Sequence, residues 1–337
     1  MSRQLVIPVF IPHEGCPHCC VFCNQHRITG QRRNVTAADV HRIIEDWLGY
    51  GRGKPTTVQV AFFGGSFTGL GQERQEELLG AVQPWLERNQ VHSIRLSTRP
   101  DYINTRVTEL LCRYRVRVVE LGVQSMDDSV LEGCRRGHLA SHTRQAIPLL
   151  RQAGLRVGAQ LMVGMPGDSR QSLRATVDAV IALNPDFVRI YPLLILAGSE
   201  LEHRYKQGQY RPLSLDYAVL LAVWMKKRFD AAGISVVRMG LQAGPELEEA
   251  LVAGPYHPAF GELVQSRIML QKARKLLSAT DRDKKYLLRI SNRDQSIFRG
   301  FRSANLRRLA QLGLLDRFTL HPDPAQDRMT LSLVPVS

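Results

Sequence analysis

Six apolar, strand-like segments alternate with helix-period segments over the first 191 residues of this 337-residue chain. Such alternation is typical of parallel sheets joined by right-handed crossover helices. Each strand-like segment ends in an unusual loop, so we predict an α/β fold, a partial (β/α)6 barrel with its chemistry at the carboxyl ends of the strands. The strands are predicted at 4–10, 58–63, 93–97, 116–122, 155–163 and 186–191.

The helical segments between these strands are predicted from apolar residues spaced three and four apart. Thr36 is expected to cap the first of them. They lie at 37–48, 73–88, 106–114, 128–133, 142–153 and 172–183.

The pattern loosens after the sixth strand. A long helix is predicted at 215–231 and a further strand at 234–239; the chain then becomes helical and basic, and ends in a β-pair around a proline-containing turn at 318–336. We therefore predict a core barrel at 1–245 and a small basic C-terminal α/β extension at 246–337, which would bind RNA or substrate.

The chain is basic, with 45 Lys and Arg against 31 Asp and Glu and a formal net charge of +14. The excess is densest at 282–308, where nine Lys or Arg stand against two Asp, with Tyr286, Phe298 and Phe301 interleaved. This balance favours a polyanionic partner such as nucleic acid; the alternative is a basic surface with no specific partner. The three aromatic side chains either stack on bases or pack in the core of the extension.

Cysteine usage and hydropathy bear on the location of the protein. Six cysteines in 337 residues, with no secretory signal, predict a reducing, cytoplasmic setting. No apolar run approaches membrane-spanning length, so we expect no membrane partner.

Three cysteines near the N-terminus carry the strongest chemical signal. Cys16, Cys20 and Cys23 follow the spacing C-x3-C-x2-C, with the aromatic Phe22 just before the last of them. Three thiolates on one short loop can hold three irons of a [4Fe–4S] cluster, which otherwise takes four protein thiolates. The fourth iron would then keep an open coordination site, as catalytic metal centres do.

The other three cysteines raise alternatives. Cys16 and Cys19 form a C-x2-C pair that could be half of a zinc site, but such a site needs a second pair, and Cys112 and Cys134 are isolated. A disulfide framework is disfavoured by the reducing setting. We expect Cys112 and Cys134 to behave as small apolar residues and Cys19 to be a neighbour of the cluster rather than a ligand.

Motifs follow the second and third strands. The glycines of Gly64-Gly65-Ser66 would let backbone carbonyls approach a ligand and accept hydrogen bonds from an ammonium group, although tight turns also use Gly-Gly. After the third strand, Arg99 could pair with Asp101 in a proline-anchored turn or face a substrate.

Further motifs follow the fourth and fifth strands. Gln124 could bridge the two hydroxyls of a ribose, and Arg136 could bind a carboxylate in bidentate fashion or lie solvated on the surface. The turn containing Met165 and Pro166 could line an adenine, or be an ordinary β–α turn.

Together these segments resemble the radical SAM superfamily and, more narrowly, its Elongator catalytic subunit-like branch. The resemblance implies a [4Fe–4S] cluster and S-adenosylmethionine (SAM), cleaved to a 5′-deoxyadenosyl radical with an electron from an external donor. For the branch, it implies action on the wobble uridine of transfer RNA. The implied metal ligands are Cys16, Cys20 and Cys23, and the implied cofactor contacts are Gly64, Gly65, Ser66, Gln124, Arg136 and Met165.

Two departures from the branch matter. An acidic residue usually precedes its Thr-Arg-Pro-Asp segment, and Ser97 holds that place here. The Elongator subunit also carries a C-terminal acetyltransferase domain, whereas about 80 residues follow position 260 here, below the usual domain size. We therefore expect a second enzyme to complete any acetyl-transfer half of the reaction.

Three functions remain open from the sequence. The first is a radical SAM enzyme that modifies transfer RNA. The second keeps the radical chemistry but acts on a small metabolite or peptide. The third is a non-catalytic RNA-binding protein that keeps an iron–sulfur cluster.

Overall fold

A seven-stranded parallel sheet forms the centre of the computed structural model, which describes residues 4–11, 14–16, 20–24, 34–50, 57–281 and 284–336. Its strands follow chain order, apart from one short strand that belongs elsewhere. They are β1 (Gln4–Ile11), β2 (Thr57–Gly64), β3 (Ser93–Thr98), β4 (Val116–Gln124), β5 (Arg156–Val163), β6 (Phe187–Pro192) and β8 (Ser235–Met239). The outer strands β1 and β8 do not pair with each other among the described residues, so the barrel is open.

The predicted α/β fold is confirmed, and the sheet gains one strand. All six predicted strands form, and the further strand at 235–239 joins the same sheet beside β6. Apolar runs such as Val58–Phe62 are buried almost without interruption, because helices cover one face of a parallel sheet and the barrel interior takes the other.

Helices connect the strands and cover the outside of the sheet. The first helix is capped as predicted: the Thr36 hydroxyl accepts a hydrogen bond from the Asp39 amide at 3.2 Å. In chain order the helices are α1 (Ala37–Gly49), α2 (Gln72–Gly80), α3 (Gln83–Glu87), α4 (Thr105–Arg113), α5 (Asp128–Gly133), α6 (Ala140–Gln152), α7 (Arg170–Leu183), α8 (Glu200–Lys206), α9 (Leu215–Ala231), α10 (Pro245–Ala250), α11 (Phe260–Ser278), α12 (Gln295–Arg299) and α13 (Ala304–Gln311).

The single helix predicted at 73–88 is two helices in the structure, α2 and α3. Pro84 lies at the start of the second one. Proline has no amide proton for the bond to residue 80 and its ring crowds that carbonyl, so the first helix ends before it.

The C-terminal region contains a three-stranded sheet, which corrects the predicted β-pair. The strands β11 (Phe318–Asp323) and β12 (Leu331–Pro335) do not pair with each other; both flank a third strand, β10 (Tyr286–Ser291). That middle strand lies in a stretch predicted to be helical. Its side chains alternate between more and less buried positions, the period of a strand.

The long helix α11 joins the two parts of the protein. Its first half, with Phe260, Val264 and Ile268, packs in the barrel core, and its second half, including Met269 and Leu277, packs in the core of the C-terminal sheet. Nothing in the structure tests a domain boundary at 245, which stays a prediction.

A smaller two-stranded sheet is separate from the other two. It pairs β7 (Ile195–Leu196) with β9 (Leu251–Ala253) in antiparallel fashion. Among the described residues, none of the helices has the length and apolar character needed to cross a membrane.

Candidate functional site

A cavity lies at the carboxyl ends of the parallel strands and holds about 950 Å³ of space, including solvent at its open mouth. Chemistry in parallel α/β barrels occurs at this end, because the variable βα loops meet there. Its lining combines apolar side chains with most of the polar residues singled out from the sequence. The cavity is lined by Cys16, Phe22, Cys23, Gly64, Gly65, Ser66, Ser97, Thr98, Glu120, Gly122, Gln124, Arg136, Gln160, Met162, Tyr191, Pro192, Leu193, Leu194, Leu196 and Leu241.

The loop that carries the three cysteines is fastened to the barrel on two sides. The Val21 amide donates to the Cys134 carbonyl at 3.1 Å, and the Leu201 amide donates to the Val21 carbonyl at 2.7 Å. The Asn24 side chain donates to the Ala197 carbonyl at 2.8 Å. These bonds hold residues 20–24 over the strand ends.

The three candidate iron ligands have different surroundings. Cys16 and Cys23 line the cavity, and Cys16 Sγ lies 3.3 Å from the Ser66 hydroxyl. Cys20 is buried, and its sulfur accepts a hydrogen bond from Arg136 at 3.3 Å. Cys19 lies outside the described residues, so its predicted role as a neighbour is not tested.

The donor set fits an iron–sulfur cluster in chemistry and place. Three thiols lie on one short loop, two of them line the cavity, and thiolates are the usual ligands of such clusters. Within residues that the structure describes, no three His, Cys, Asp or Glu side chains are already gathered around a metal position. The ligand assignment therefore stays a prediction.

The glycine pair after β2 allows a close approach between the backbone and the cysteine loop. A Cβ on Gly65 would lie 2.1 Å from the Glu14 carbonyl oxygen and 2.6 Å from that of Ile11. The Ser66 amide donates to the same Glu14 carbonyl at 2.9 Å, and Glu14 forms an ion pair with Arg74 at 3.2 Å. The loop before Cys16 is thus packed against a position that only glycine fits.

A bulge at the end of β4 brings Gln124 and Arg136 together. The register of β4 on β5 shifts between Leu121 and Gln124, and Gln124 has a left-handed backbone with φ of 65°. Non-glycine residues rarely adopt this conformation, and such strain is common at functional sites. A Cβ on Gly122 would lie 2.6 Å from the Arg136 guanidinium and 3.1 Å from the Gln124 amide nitrogen, so a larger residue there would displace the ends of both side chains.

Arg136 lies on the cavity wall and not on the surface. One guanidinium nitrogen donates to the Gly122 carbonyl at 2.9 Å and another to Cys20 Sγ, while its Nε is buried with no partner. A half-buried guanidinium with a spare donor fits an arriving anion. Contact of Gly64, Gly65, Ser66, Gln124 and Arg136 with SAM stays a prediction, but all five line one cavity.

Met165, the sixth predicted cofactor contact, lies behind the cavity wall. It packs in an apolar cluster with Val21, Val130 and Cys134. Met162, three residues earlier on β5, lines the cavity instead. The sequence identified Met165 as an apolar residue in the turn after β5. It did not show which way that side chain points, because the direction is set by how the preceding strand alternates.

Glu120 is a cavity residue that the sequence reasoning did not place in the site. It is the register partner of Ser97 on β3, and both line the cavity. Glu120 forms ion pairs with Arg95 at 3.0 Å and with Arg189 at 2.6 Å, and Arg189 also donates to the Tyr191 hydroxyl at 3.1 Å. The Glu120 carboxylate therefore lies on the strand next to Ser97, the residue that replaces the usual acidic one. The alternation of side chains along β4 was the sequence signal that could have placed Glu120 on the cavity side.

Arg99 forms the structural ion pair that was one of its two predicted roles. It is buried and donates to both oxygens of Asp101, at 2.9 and 2.8 Å. Burial alone would raise the pKa of the Asp101 carboxyl, but the bonds from Arg99 outweigh it and hold the pKa below its usual range. Arg99 does not line the cavity.

Two buried groups behind the site are neutral at physiological pH. Burial lowers the pKa of His138 to about 3, and the nearby Arg136 charge acts in the same direction. Burial raises the pKa of the Cys134 thiol to about 12, as expected of a small apolar cysteine. Cys112 is exposed, so the same prediction does not hold for it.

Comparison with family models identifies two matches. Residues 10–180 match the model of the radical SAM superfamily, and residues 185–269 match that of the radical SAM C-terminal domain. The chain is 34% identical over 134 residues to a tRNA uridine(34) acetyltransferase of Methanocaldococcus jannaschii, covering 39% of this chain and 25% of that protein. It is 27% identical over 209 residues to protein YhcC of Escherichia coli, covering 60% and 65%.

Comparison with solved structures shows the same fold. The archaeal Elp3 of Methanocaldococcus infernus superposes with a TM-score of 0.63 at 23% identity, covering 80% of this chain and 64% of that one. Coproporphyrinogen III oxidase of Escherichia coli gives a TM-score of 0.51 at 18% identity, covering 69% and 53%. The chain spans less than two thirds of the length of these relatives.

Proposed function

This chain belongs to the radical SAM superfamily, and from that membership we propose that it is an enzyme that uses a [4Fe–4S] cluster and SAM to modify transfer RNA. Members of this superfamily are enzymes that use those two cofactors. The observation that carries the proposal is the cavity itself, whose wall joins two cysteines of the loop to the glycine pair, Gln124 and Arg136.

When bound, a reduced cluster supplies the electron that splits SAM into methionine and a 5′-deoxyadenosyl radical. The side chains of Cys16, Cys20 and Cys23 would hold the iron as thiolates. The carbonyls of Gly64 and Gly65 would accept hydrogen bonds from the SAM ammonium group.

The polar residues of the lining would orient the rest of SAM. Arg136 would pair with the SAM carboxylate through donors that now face Gly122 or have no partner. Gln124, fixed by its left-handed backbone, would face the ribose hydroxyls, and its amide oxygen already accepts a hydrogen bond from Gln160 at 3.4 Å. Glu120 would supply a carboxylate beside Ser97.

The apolar residues of the lining would keep water from a reactive intermediate. They are Met162, Leu193, Leu194, Leu196 and Leu241. An apolar lining excludes water and so limits side reactions at a radical centre.

Transfer RNA is the proposed substrate for two reasons. Curated relatives include transfer RNA uridine(34) acetyltransferases, and the chain carries a net charge of +14 that suits a polyanion. An external electron donor and a second enzyme for any acetyl-transfer step belong to the same proposal.

A small metabolite or peptide is the second candidate. The cavity lining also includes Gln160 and Tyr191, polar groups beyond those assigned to SAM. Such groups could bind a small polar substrate entirely inside the barrel.

Release of 5′-deoxyadenosine tests the proposal and separates the two substrates. The protein would be reconstituted with iron and sulfide without oxygen, reduced, and given SAM with and without small RNA from a strain lacking the gene. We expect RNA to raise the yield. Release that responds to metabolite extract but not to RNA would favour the second candidate, and intact SAM over a fully loaded cluster would point to a non-catalytic protein.

Cysteine variants give the matched control. Cys20→Ala should lose the cluster and its visible absorbance, whereas Cys112→Ala, which removes an exposed thiol outside the loop, should keep both. Cys19→Ala should also keep them. Loss of the cluster in Cys19→Ala but not in Cys20→Ala would reassign the ligands.

A further inference from the structure

The three aromatic residues of the basic C-terminal segment have different surroundings. Tyr286 is 6% exposed and Phe298 is 1% exposed, and Phe298 meets Phe318 edge to face at 6.0 Å between ring centroids. These two are core residues. Phe301, by contrast, is 55% exposed.

A strained turn holds Phe301 outward. Gly300 has φ of 76°, and Arg302 and Ser303 both have left-handed backbones with φ of 48° and 58°. Two successive non-glycine residues in this conformation are costly and persist only where their surroundings fix them. The Asn305 side chain supplies that support, donating to the Phe298 carbonyl and to the Ser266 hydroxyl, each at 2.9 Å.

Five arginines that are near Phe301 in the sequence carry positive charge without acidic partners. Arg293, Arg299, Arg302, Arg307 and Arg308 are all exposed, and none forms an ion pair with a carboxylate among the described residues. The one acidic residue between 292 and 311, Asp294, is buried and paired with Arg328. The Arg302 guanidinium lies 5.2 Å from the centre of the Phe301 ring, so a cation–π pair already forms.

A short segment of chain connects this surface to the residues that line the cavity. The Phe301 ring meets His257 edge to face at 5.1 Å, and both border a groove whose lining includes the exposed carboxylate of Glu262. Three residues before His257, Gly254 packs against Leu193 and Leu194, which line the cavity. Three residues of chain span at most about 11 Å.

We propose that Phe301 and the five arginines form a docking surface for unpaired nucleotides of an RNA loop, a proposal that rests on the proposed function. A base stacks on Phe301 beside Arg302, and the other arginines contact phosphates. Stacking on aromatic rings does not depend on base identity, and single-stranded segments are the parts of RNA whose bases can reach a ring. An exposed aromatic ring with five unpaired arginines nearby in the sequence fits this ligand better than it fits a protein, because these five positive charges outnumber the one exposed carboxylate of the groove, that of Glu262.

Fluorescence anisotropy on the reconstituted full chain tests the surface. The probes are a labelled anticodon stem-loop and a fully paired RNA duplex of the same length. We expect Phe301→Ala to weaken stem-loop binding about tenfold with little effect on the duplex, and Phe301→Trp to retain binding. Arg307→Gln/Arg308→Gln should lower the slope of log K against log salt by about 1.4, the value for two lost phosphate contacts on a single strand.

Matched controls separate a local effect from a general one. Tyr50→Ala removes an exposed aromatic side chain on another part of the barrel, and Arg144→Gln removes an exposed charge; both should bind as the wild type does. Equal thermal midpoints for all variants would show that each is folded.

The outcomes distinguish this surface from the proposed function. If the wild type responds to RNA but Phe301→Ala binds the stem-loop normally, or loses the stem-loop and the duplex equally, the docking surface is refuted and the function stands. If the wild type binds neither probe, both proposals fail.

Discussion

Replacing Gly65 by alanine tests whether the glycine pair positions the cysteine loop. The added methyl carbon would lie 2.1 Å from the Glu14 carbonyl oxygen and 2.6 Å from that of Ile11. Contacts between carbon and oxygen are ordinarily 3.3 Å or more, so the two segments must separate by about 1 Å. Both neighbours are backbone atoms, which cannot rotate away.

The cost follows from this displacement. Overpacking of a packed interior costs about 1–3 kcal/mol, and the segment that must move leads directly into Cys16. We expect Gly65→Ala to unfold at lower urea concentration, to load less iron per chain and to bind SAM more weakly. The contact between Cys16 and Ser66, at 3.3 Å, should be lost first.

Urea unfolding, iron content and SAM calorimetry would be measured on the variant beside Gly80→Ala. Gly80 ends α2, and a Cβ there meets nothing within 4 Å. Alanine should be neutral at that position or stabilise the helix by about 0.5–1 kcal/mol. If Gly65→Ala matches the wild type in stability and iron content, the packing argument is wrong.

Three further predictions concern ionisable groups at the site. His138 has a pKa of about 3 in the folded protein against about 6.5 in the unfolded chain, so the unfolded chain binds the proton more readily. The free energy of unfolding should therefore fall as pH drops from about 6.5 towards 3, by about 2 kcal/mol at pH 5. Urea unfolding of His138→Gln at several pH values should lack this pH dependence. Arg136→Ala should weaken SAM binding about tenfold or more by calorimetry without loss of iron. Arg135→Ala changes an exposed neighbour and should leave SAM binding unchanged. Unchanged SAM affinity in Arg136→Ala would return Arg136 to a structural role. Glu120→Gln leaves the largely buried guanidinium groups of Arg95 and Arg189 without a counter-charge and should lower the free energy of unfolding by about 3–5 kcal/mol. The double variant Glu120→Gln/Arg189→Met should restore part of that stability in a double-mutant cycle. Additive losses would show that Glu120 and Arg189 are not coupled.

Local sequence patterns predicted most of the barrel. Strand and helix periods record which side of a segment is buried, so all six strands were found within two residues of their ends. Interactions between residues close together in sequence were predicted equally well, as in the capping of α1 by Thr36. The missed division between α2 and α3 was also local, since Pro84 was visible.

The pairing of strands that are distant in sequence could not be predicted in the same way. The strands β11 and β12 looked like a hairpin because they are neighbours in sequence, yet β10 lies between them. A strand's period shows that it has partners but not which ones, because the hydrogen bonds are made by backbone groups common to every residue.

The sequence by itself determined the parallel α/β architecture, the three-thiol loop and the glycine positions that let the chain pass close to it. Only the tertiary structure decided that Glu120 faces the cavity beside Ser97, that Met162 and not Met165 lines it, and that Phe301 is exposed while Phe298 is core. Composition and spacing identify residue types capable of a chemistry. Their direction depends on the pleat, the bulge or the strained turn beneath them, and those are set by contacts between segments far apart in the chain.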